Sequence, residues 1–416
     1  MVTTFYPPYN FGGDGIFVER LSKALARRGH RIDVVHCVDA HRLSGKRVAT
    51  TGISADKNIN VYPLKSAAGP FSPLFTQQTA RTSFKRKEIQ ALIQKNQYDV
   101  IHYHNMSLIG LEALQIGEAI KLYTTHEHWL ICPMHVLWKH DTAPCEKPAC
   151  ISCQLRGRRP IQFWRYGGYM QQMLSHVDRF ISPSHFTIEK HREFGCDIPF
   201  VHIPLFLSSE IENLEINEIE SDEDGKPYFL YVGRLEKIKG VQTLISAFRK
   251  YRNCNLLIAG DGNYSRTLKQ QAQGLDHIRF LGRIDFQRLR GYYRNAIAVI
   301  VPSLCFEVSG TIQMEAFLEK TPVIVHNIGA LNEVVEFSGG GLIYQNQEEL
   351  IHHMETFRKL PEIRDEYGRK GYQAYCGHYS EDRHIQQYYQ LIMEIADGSP
   401  KAAPVMEVLR EEAKSI

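Results

Sequence analysis

Short apolar runs alternate with stretches of helical periodicity along almost the whole chain. "MVTTFY", "RIDVVHCV", "YDVIHYHN", "IKLYTTHEH", "VDRFISPS" and "PFVHIPL" in the first half predict buried strands. Between the first two, "GIFVERLSKALARRGH" sets Phe17, Leu21, Ala24, Leu25 and Arg28 at helical spacing and stops at Gly29. From 207 to 227 the pattern lapses into the acidic "LSSEIENLEINEIESDEDGKP". It resumes with "YFLYVGRL", "CNLLIAGDG", "HIRFLGRI", "AIAVIVPS", "TPVIVHNIG" and "GGLIY". Such alternation predicts an α/β chain of two doubly wound, Rossmann-like domains facing across a cleft, with ligands at the C-terminal strand ends. The expected division is 1–205, a linker at 206–227, and 228–380. A helix and tail, 381–416, should pack back on the first domain.

A chain of 416 residues exceeds one compact core, and 43% hydrophobic with 23% charged residues is globular. No apolar run has membrane-spanning length, and the first residues lack a secretory signal, so a cytoplasmic protein is expected. Residues 1–205 carry 25 Lys+Arg against 16 Asp+Glu; the remainder carries 24 against 30, for the net +3. A basic first half suits an anionic ligand or a membrane surface, and equally a chance imbalance of solvated faces. No motif for nucleic acid is present.

"CFEVSGTIQMEAF" raises the sharpest chemical question. Helical spacing through Ile312, Ala316 and Phe317 starts the helix near Gly310 or Thr311. Glu307 then lies in the preceding loop and Glu315 one turn inside, around a helix N-terminus able to receive phosphate. Two solvated glutamates are the plainer alternative. "VGRLEKIKG" places Arg234 and Lys239 after a buried strand, where two cations can neutralise a diphosphate without a metal. In "FGGDG", Gly12 and Gly13 permit close approach of a phosphate or sugar, although a turn needs the same residues. "AGDGNY" reads as a tight turn.

"TTHEHW" brings His126 to the cleft as a donor to a sugar or phosphate oxygen, or as a satisfied core histidine. Asp14 and Glu127 are lesser candidates. The D-x-D in "SDEDG" reads as a solvated charge run. Cys132, Cys145, Cys150 and Cys153, spaced C-x12-C-x4-C-x2-C across a Cys-rich insert at 130–153, suit a structural zinc site. An iron–sulfur cluster and free thiols are the alternatives. "LRGRRPIQFWRY" mixes basic and aromatic residues, as a peripheral membrane contact or an ordinary surface patch would.

Together, "GRLEKIKG", "AGDG", "FLGRI", "PSLCFEVSGTIQMEAF", "TPVIVHNIGALNEVV" and "GGGLIY" resemble the nucleotide-sugar-dependent glycosyltransferases of family 4, whose fold is GT-B. The resemblance spans nearly the whole chain. It implies a retaining transfer from a nucleotide-diphosphate sugar to a sugar, glycan or lipid-linked acceptor, as in polysaccharide or glycolipid synthesis. It implies that Glu315 binds ribose, Arg234 and Lys239 the diphosphate, and Glu307 the transferred sugar. Amides at Gly310 and Thr311 would meet the sugar or its phosphate, and the backbone near Arg283 the base. His126 and Gly13 would reach across from the acceptor side, and no cofactor would be needed for catalysis. Val308-Ser309 departs from the family's Gly-Phe-Gly-like segment, which leaves donor choice open there. An epimerase or a non-catalytic nucleotide-sugar sensor of the same fold are the competing readings; a nicotinamide dehydrogenase is disfavoured because the first turn lacks G-x-G-x-x-G.

Overall fold

The computed structural model describes residues 1–10, 12–43, 56–215 and 225–397. The first half supplies β1 (Val2–Thr3), β2 (Ile32–Cys37), β3 (Ile59–Leu64), β4 (Val100–Tyr103) and β5 (Ile120–Thr124). A small antiparallel hairpin, β6 (Trp138–Lys139) and β7 (Ala143–Pro144), precedes β8 (Arg179–Ser182) and β9 (Phe200–His202). The order β3-β2-β1-β4-β5-β8-β9 forms one parallel sheet.

The second half supplies β10 (Tyr228–Val232), β11 (Asn255–Ala259), β12 (Ile278–Gly282), β13 (Val299–Val301), β14 (Val323–His326) and β15 (Gly341–Tyr344). These pair in parallel in the order β12-β11-β10-β13-β14-β15. Two wound sheets covered by helices are the GT-B architecture.

Successive strand side chains leave opposite faces of a sheet, so a strand covered on both sides is apolar throughout. On β10, Phe229 and Tyr231 enter one core while Tyr228 and Leu230 enter another. On β2, Val34 and Val35 divide in the same way. The sequence pattern does not pick out β3. It is an edge strand, mostly part-exposed, and Pro63 interrupts it.

The acidic segment after 206 is more ordered than its composition suggests. Ser209–Glu212 forms a helical turn, and Arg290 Nη1 donates to the carbonyls of Ile211, Glu212 and Leu214 at 2.9, 3.1 and 2.7 Å. The D-x-D, Asp222 and Asp224, lies outside the described residues.

The chain then returns. Helix Glu381–Asp397 leaves the second half and buries Ile385, Tyr388, Leu391 and Ile392 against Phe17, Leu21 and Phe206 of the first. Its first residue, Glu381, is 3% exposed and receives Arg27 Nη2 at 2.6 Å, Arg28 Nη1 at 2.9 Å and the Ser209 amide at 3.0 Å. No helix among the described residues is long and apolar enough to cross a membrane.

Candidate active site

Strand order reverses between β1 and β4 in the first sheet and between β10 and β13 in the second. A crevice opens at the C-terminal strand ends wherever the winding reverses. The two crevices face each other across a cleft of about 480 Å³. Gly12, Gly13, Asp14, His126 and Glu127 line it from one side, and Arg234, Lys239, Glu307 and Val308 from the other. Sequence positions far apart are thus drawn to one place by topology alone.

Lys239 ends a short 3-10 turn, Lys237–Lys239, beyond β10. Its Nζ donates to both oxygens of Glu307, at 2.7 and 3.0 Å, and Ser303 Oγ donates to Glu307 at 2.6 Å. Burial pushes the Glu307 carboxyl up, but the Lys239 ammonium and Ser303 hydroxyl outweigh it and hold the group below its ordinary range. Burial likewise opposes the charge on Lys239, and Glu307 more than restores it. Gly240 makes the arrangement possible. Its φ is +77°, and a Cβ there would stand 1.8 Å from the Pro302 carbonyl oxygen. Arg234 is half-exposed and held by Glu236 at 2.8 Å.

The helix expected after Glu307 runs Thr311–Leu318, with Gly310 as its N-cap and no side chain capping it. Its first amides are therefore available to an anion. Gly310 fits closely, since a Cβ would lie 2.0 Å from Gln313 Oε1. Glu315 sits one turn inside but does not line the cleft; it is 8% exposed and accepts the Tyr293 hydroxyl at 2.7 Å. Burial raises its pKa against the pull of Arg20 and Tyr293. Arg20 comes from the first-half helix Gly13–Arg27, so it reaches toward Glu315 from the facing domain. Arg283 follows β12, exposed, and is not among the cleft-lining residues.

On the opposite wall Gly13 begins its helix with open space where a Cβ would be. Asp14 accepts from Asn105 Nδ2 at 2.9 Å; burial and the Glu127 charge push its pKa up to about 6. His126 Nε2 lies 3.0 Å from His104 Nδ1, and His102 lies behind with its ring tilted at a centroid distance of 4.0 Å from His104. Burial and His384 hold His126 down at about 3, so it is neutral at pH 7.

Sequence reasoning missed Ser303, Arg20, Tyr293, Asn105 and His104. The last had a signal, because His102 and His104 stand two residues apart at the end of a buried strand, where an imidazole needs a partner.

The four cysteines converge on one small cavity near Leu137 and Phe194. They stand apart more than bound ligands do. Among the described residues, the metal-ligand trio with atoms mutually within 4.8 Å is His185, His202 and Glu333. That trio joins the two halves, because Glu333 accepts the His185 and Phe186 amides at 2.9 and 3.0 Å. A separate cavity of about 350 Å³ lies beside Met1, Ile32 and Val100, at the opposite strand ends from the cleft.

Sequence profiles of two known groups match this chain: Glycosyltransferase Family 4 over residues 11–208, and Glycosyl transferases group 1 over residues 213–374. The chain belongs to the family 4, group 1 glycosyltransferases. This glycosyltransferase is 24% identical over 367 residues to alpha-monoglucosyldiacylglycerol synthase of Streptococcus pneumoniae, covering 83% of this chain and 75% of that one. In fold it is similar to sucrose-phosphate synthase of Thermosynechococcus elongatus, with TM-score 0.72, 21% identity, and 96% and 99% of the two chains covered. It is also similar to Anabaena HepE in complex with UDP-glucose, with TM-score 0.64, 16% identity, and coverage of 94% and 99%.

Proposed function

We propose that this glycosyltransferase moves a sugar from a nucleoside-diphosphate sugar to an acceptor hydroxyl with retention at the anomeric carbon and without a catalytic metal. The observation that carries the reading is the Lys239–Glu307 pair, set beside Arg234 and just ahead of an uncapped helix N-terminus. Two cations and a row of amides match the charge of a diphosphate.

On donor binding the diphosphate competes for Lys239, and the loosened Glu307 turns to hydroxyls of the transferred sugar. The amides of Gly310 and Thr311 meet the sugar or its phosphate. Glu315 exchanges the Tyr293 hydroxyl for those of the ribose, and the backbone near Arg283, outside the cleft lining, meets the base in this reading. The bond from anomeric carbon to phosphate oxygen breaks, and the acceptor oxygen bonds on the same face. The acceptor's proton passes to the departing phosphate oxygen, while Arg234 and Lys239 stabilise the leaving charge. Neutral His126 orients the sugar or acceptor by hydrogen bonding, and Gly13 leaves room for it.

The acceptor we propose is lipid-linked, used at the inner face of a membrane. Phe71 and Phe163 are 76% and 74% exposed, and Phe75 packs on Phe84 nearby. Trp164 Nε1 donates to the Gln77 carbonyl at 3.1 Å, and Gln77 lines the cleft, so this apolar face adjoins its mouth. Exposed Arg81 and Arg86, which share the single carboxylate of Glu112, leave net positive charge suited to anionic lipid. The lipid-product name of the S. pneumoniae relative agrees with this choice.

A thermal-shift screen of nucleoside-diphosphate sugars tests the donor, since a ligand stabilises the state it binds. Turnover should persist in chelator. Nucleotide release independent of acceptor would favour an epimerase or hydrolase reading instead. Binding to anionic vesicles, lost in Phe71→Ser/Phe163→Ser, tests the membrane face; equal sedimentation of both proteins would remove it.

A further inference from the structure

We infer that Cys132, Cys145, Cys150 and Cys153 form a structural zinc site that fixes the acceptor-side wall of the cleft. All four border a cavity of about 10 Å³, room for one ion or one water. Its other walls include the apolar Ile131, Leu137 and Phe194, beside Trp138 and Lys139. Cys145 lies within electrostatic reach of the other three thiols, and Cys132 within reach of Cys150. Cys150 and Cys153 share one face of the short helix Cys150–Arg156. All four are free thiols, so no disulfide occupies them.

The surrounding backbone needs an anchor that its own packing does not supply. His135, Leu137, His140 and Asp141 all have positive φ, a left-handed backbone that a Cβ disfavours. Against this, the local apolar cluster consists of Cys132, Leu137 and Cys145 with a few part-buried neighbours. Metal–thiolate bonds provide folding free energy of the kind such a segment lacks.

The charge also balances. A zinc ion with four thiolates carries two net negative charges, and two cations lie in electrostatic range: Arg165 of Cys132 and Cys150, and Lys139 of Cys145. Arg165 Nη2 is buried with no hydrogen-bond partner. The sulfurs must close in by side-chain rotation, since tetrahedral zinc sets neighbouring sulfurs about 3.8 Å apart at Zn–S distances of about 2.3 Å. Between Cys132 and Cys145 the chain contributes Met134, His135 and Val136 to the cleft, and His128, whose carbonyl accepts the Cys132 amide, lies 3.3 Å from the Phe306 carbonyl across it. The metal thus acts on the site through the wall it holds.

Full-length protein purified under reducing, chelator-free conditions is expected to hold about one zinc per chain. An organomercurial that titrates thiols should release it. Cobalt substitution should give the intense thiolate-to-metal absorption of a tetrahedral sulfur site, a reading that needs no variant. Cys150→Ser/Cys153→Ser should lose the metal, while Cys254→Ser, in the second-half core, keeps it. Absence of metal, an iron–sulfur chromophore, or retention of zinc in the double variant would overturn the assignment. So would loss of zinc from His185→Ala/His202→Ala instead, which would move the ion to the trio between the two halves.

Discussion

Lys239 and Glu307 neutralise one another in a setting where neither charge is comfortable alone. Lys239→Ala leaves the Glu307 carboxyl to burial, which raises its pKa once the ammonium is gone. Turnover is expected to fall by about 10²–10³, the scale of losing one preorganised charge contact. The residual activity should climb with pH as Glu307 regains its charge; a pH profile parallel to wild type would contradict this. Asp14 supplies a second test. Its pKa of about 6 exceeds the 3.8 of an unperturbed carboxyl, so the folded protein keeps a proton that the unfolded chain releases. Stability from this group is therefore lost as pH rises from about 4 to about 6. Asp14→Asn should flatten that slope in urea midpoints measured across the window, and identical slopes would exonerate Asp14. How far these residues were legible differs from one to the next. Glu307 and Lys239 stood out by position after buried strands, but their pairing crosses 68 positions of sequence and depends on which strands are neighbours. Arg20 stands near Glu315 only because two separately folded sheets face each other, and no local pattern encodes that.

Among the elements, two glycines make opposite demands. At Gly240 an added methyl would collide with the Pro302 carbonyl and strain a left-handed backbone, so the Lys239 turn must shift. Gly240→Ala is expected to cost about 1–3 kcal/mol in chemical denaturation and most of the activity. Gly13→Ala meets open space at the start of a helix, where alanine is a better helix former by up to about 1 kcal/mol. Its stability should hold or rise while ligand binding weakens, because the methyl projects into the cleft. Loss of stability there would show that the glycine serves the fold. The strands of both sheet centres were legible because burial on both faces leaves uninterrupted apolar runs. The helix after Glu307 was expected to start near Gly310 or Thr311 and starts at Thr311, since a strand end and an apolar face bracket it. The edge strand β3 and the hairpin β6–β7 were not legible: one is half-exposed and carries proline, the other is only two residues a side.

Over the whole molecule, Glu333 ties the halves together by capping a first-half helix from the second half. Each hydrogen bond from a backbone N–H to a carboxylate contributes about 1.5–3 kcal/mol when both states keep the other contacts. Glu333→Ala should therefore shift the population toward a more open molecule, visible as a larger radius of gyration in scattering; an unchanged radius would mean that other contacts set the closure. The returning helix Glu381–Asp397 has a different consequence, which concerns time. The apolar face over Phe17 and Leu21 is finished by side chains encoded more than three hundred positions later. A ribosome making this protein thus exposes an incomplete first domain until the codons for residues 381–397 have been read, so the first domain is not sealed before the second is made. The second domain, whose two cores are complete by Tyr379, can mature before the first is sealed. A nascent chain stalled at residue 375 should accordingly bind a hydrophobic dye and resist assembly, whereas one released after residue 397 should not. Chaperone dependence would then track the seventeen residues of one helix rather than the length of the domain they complete.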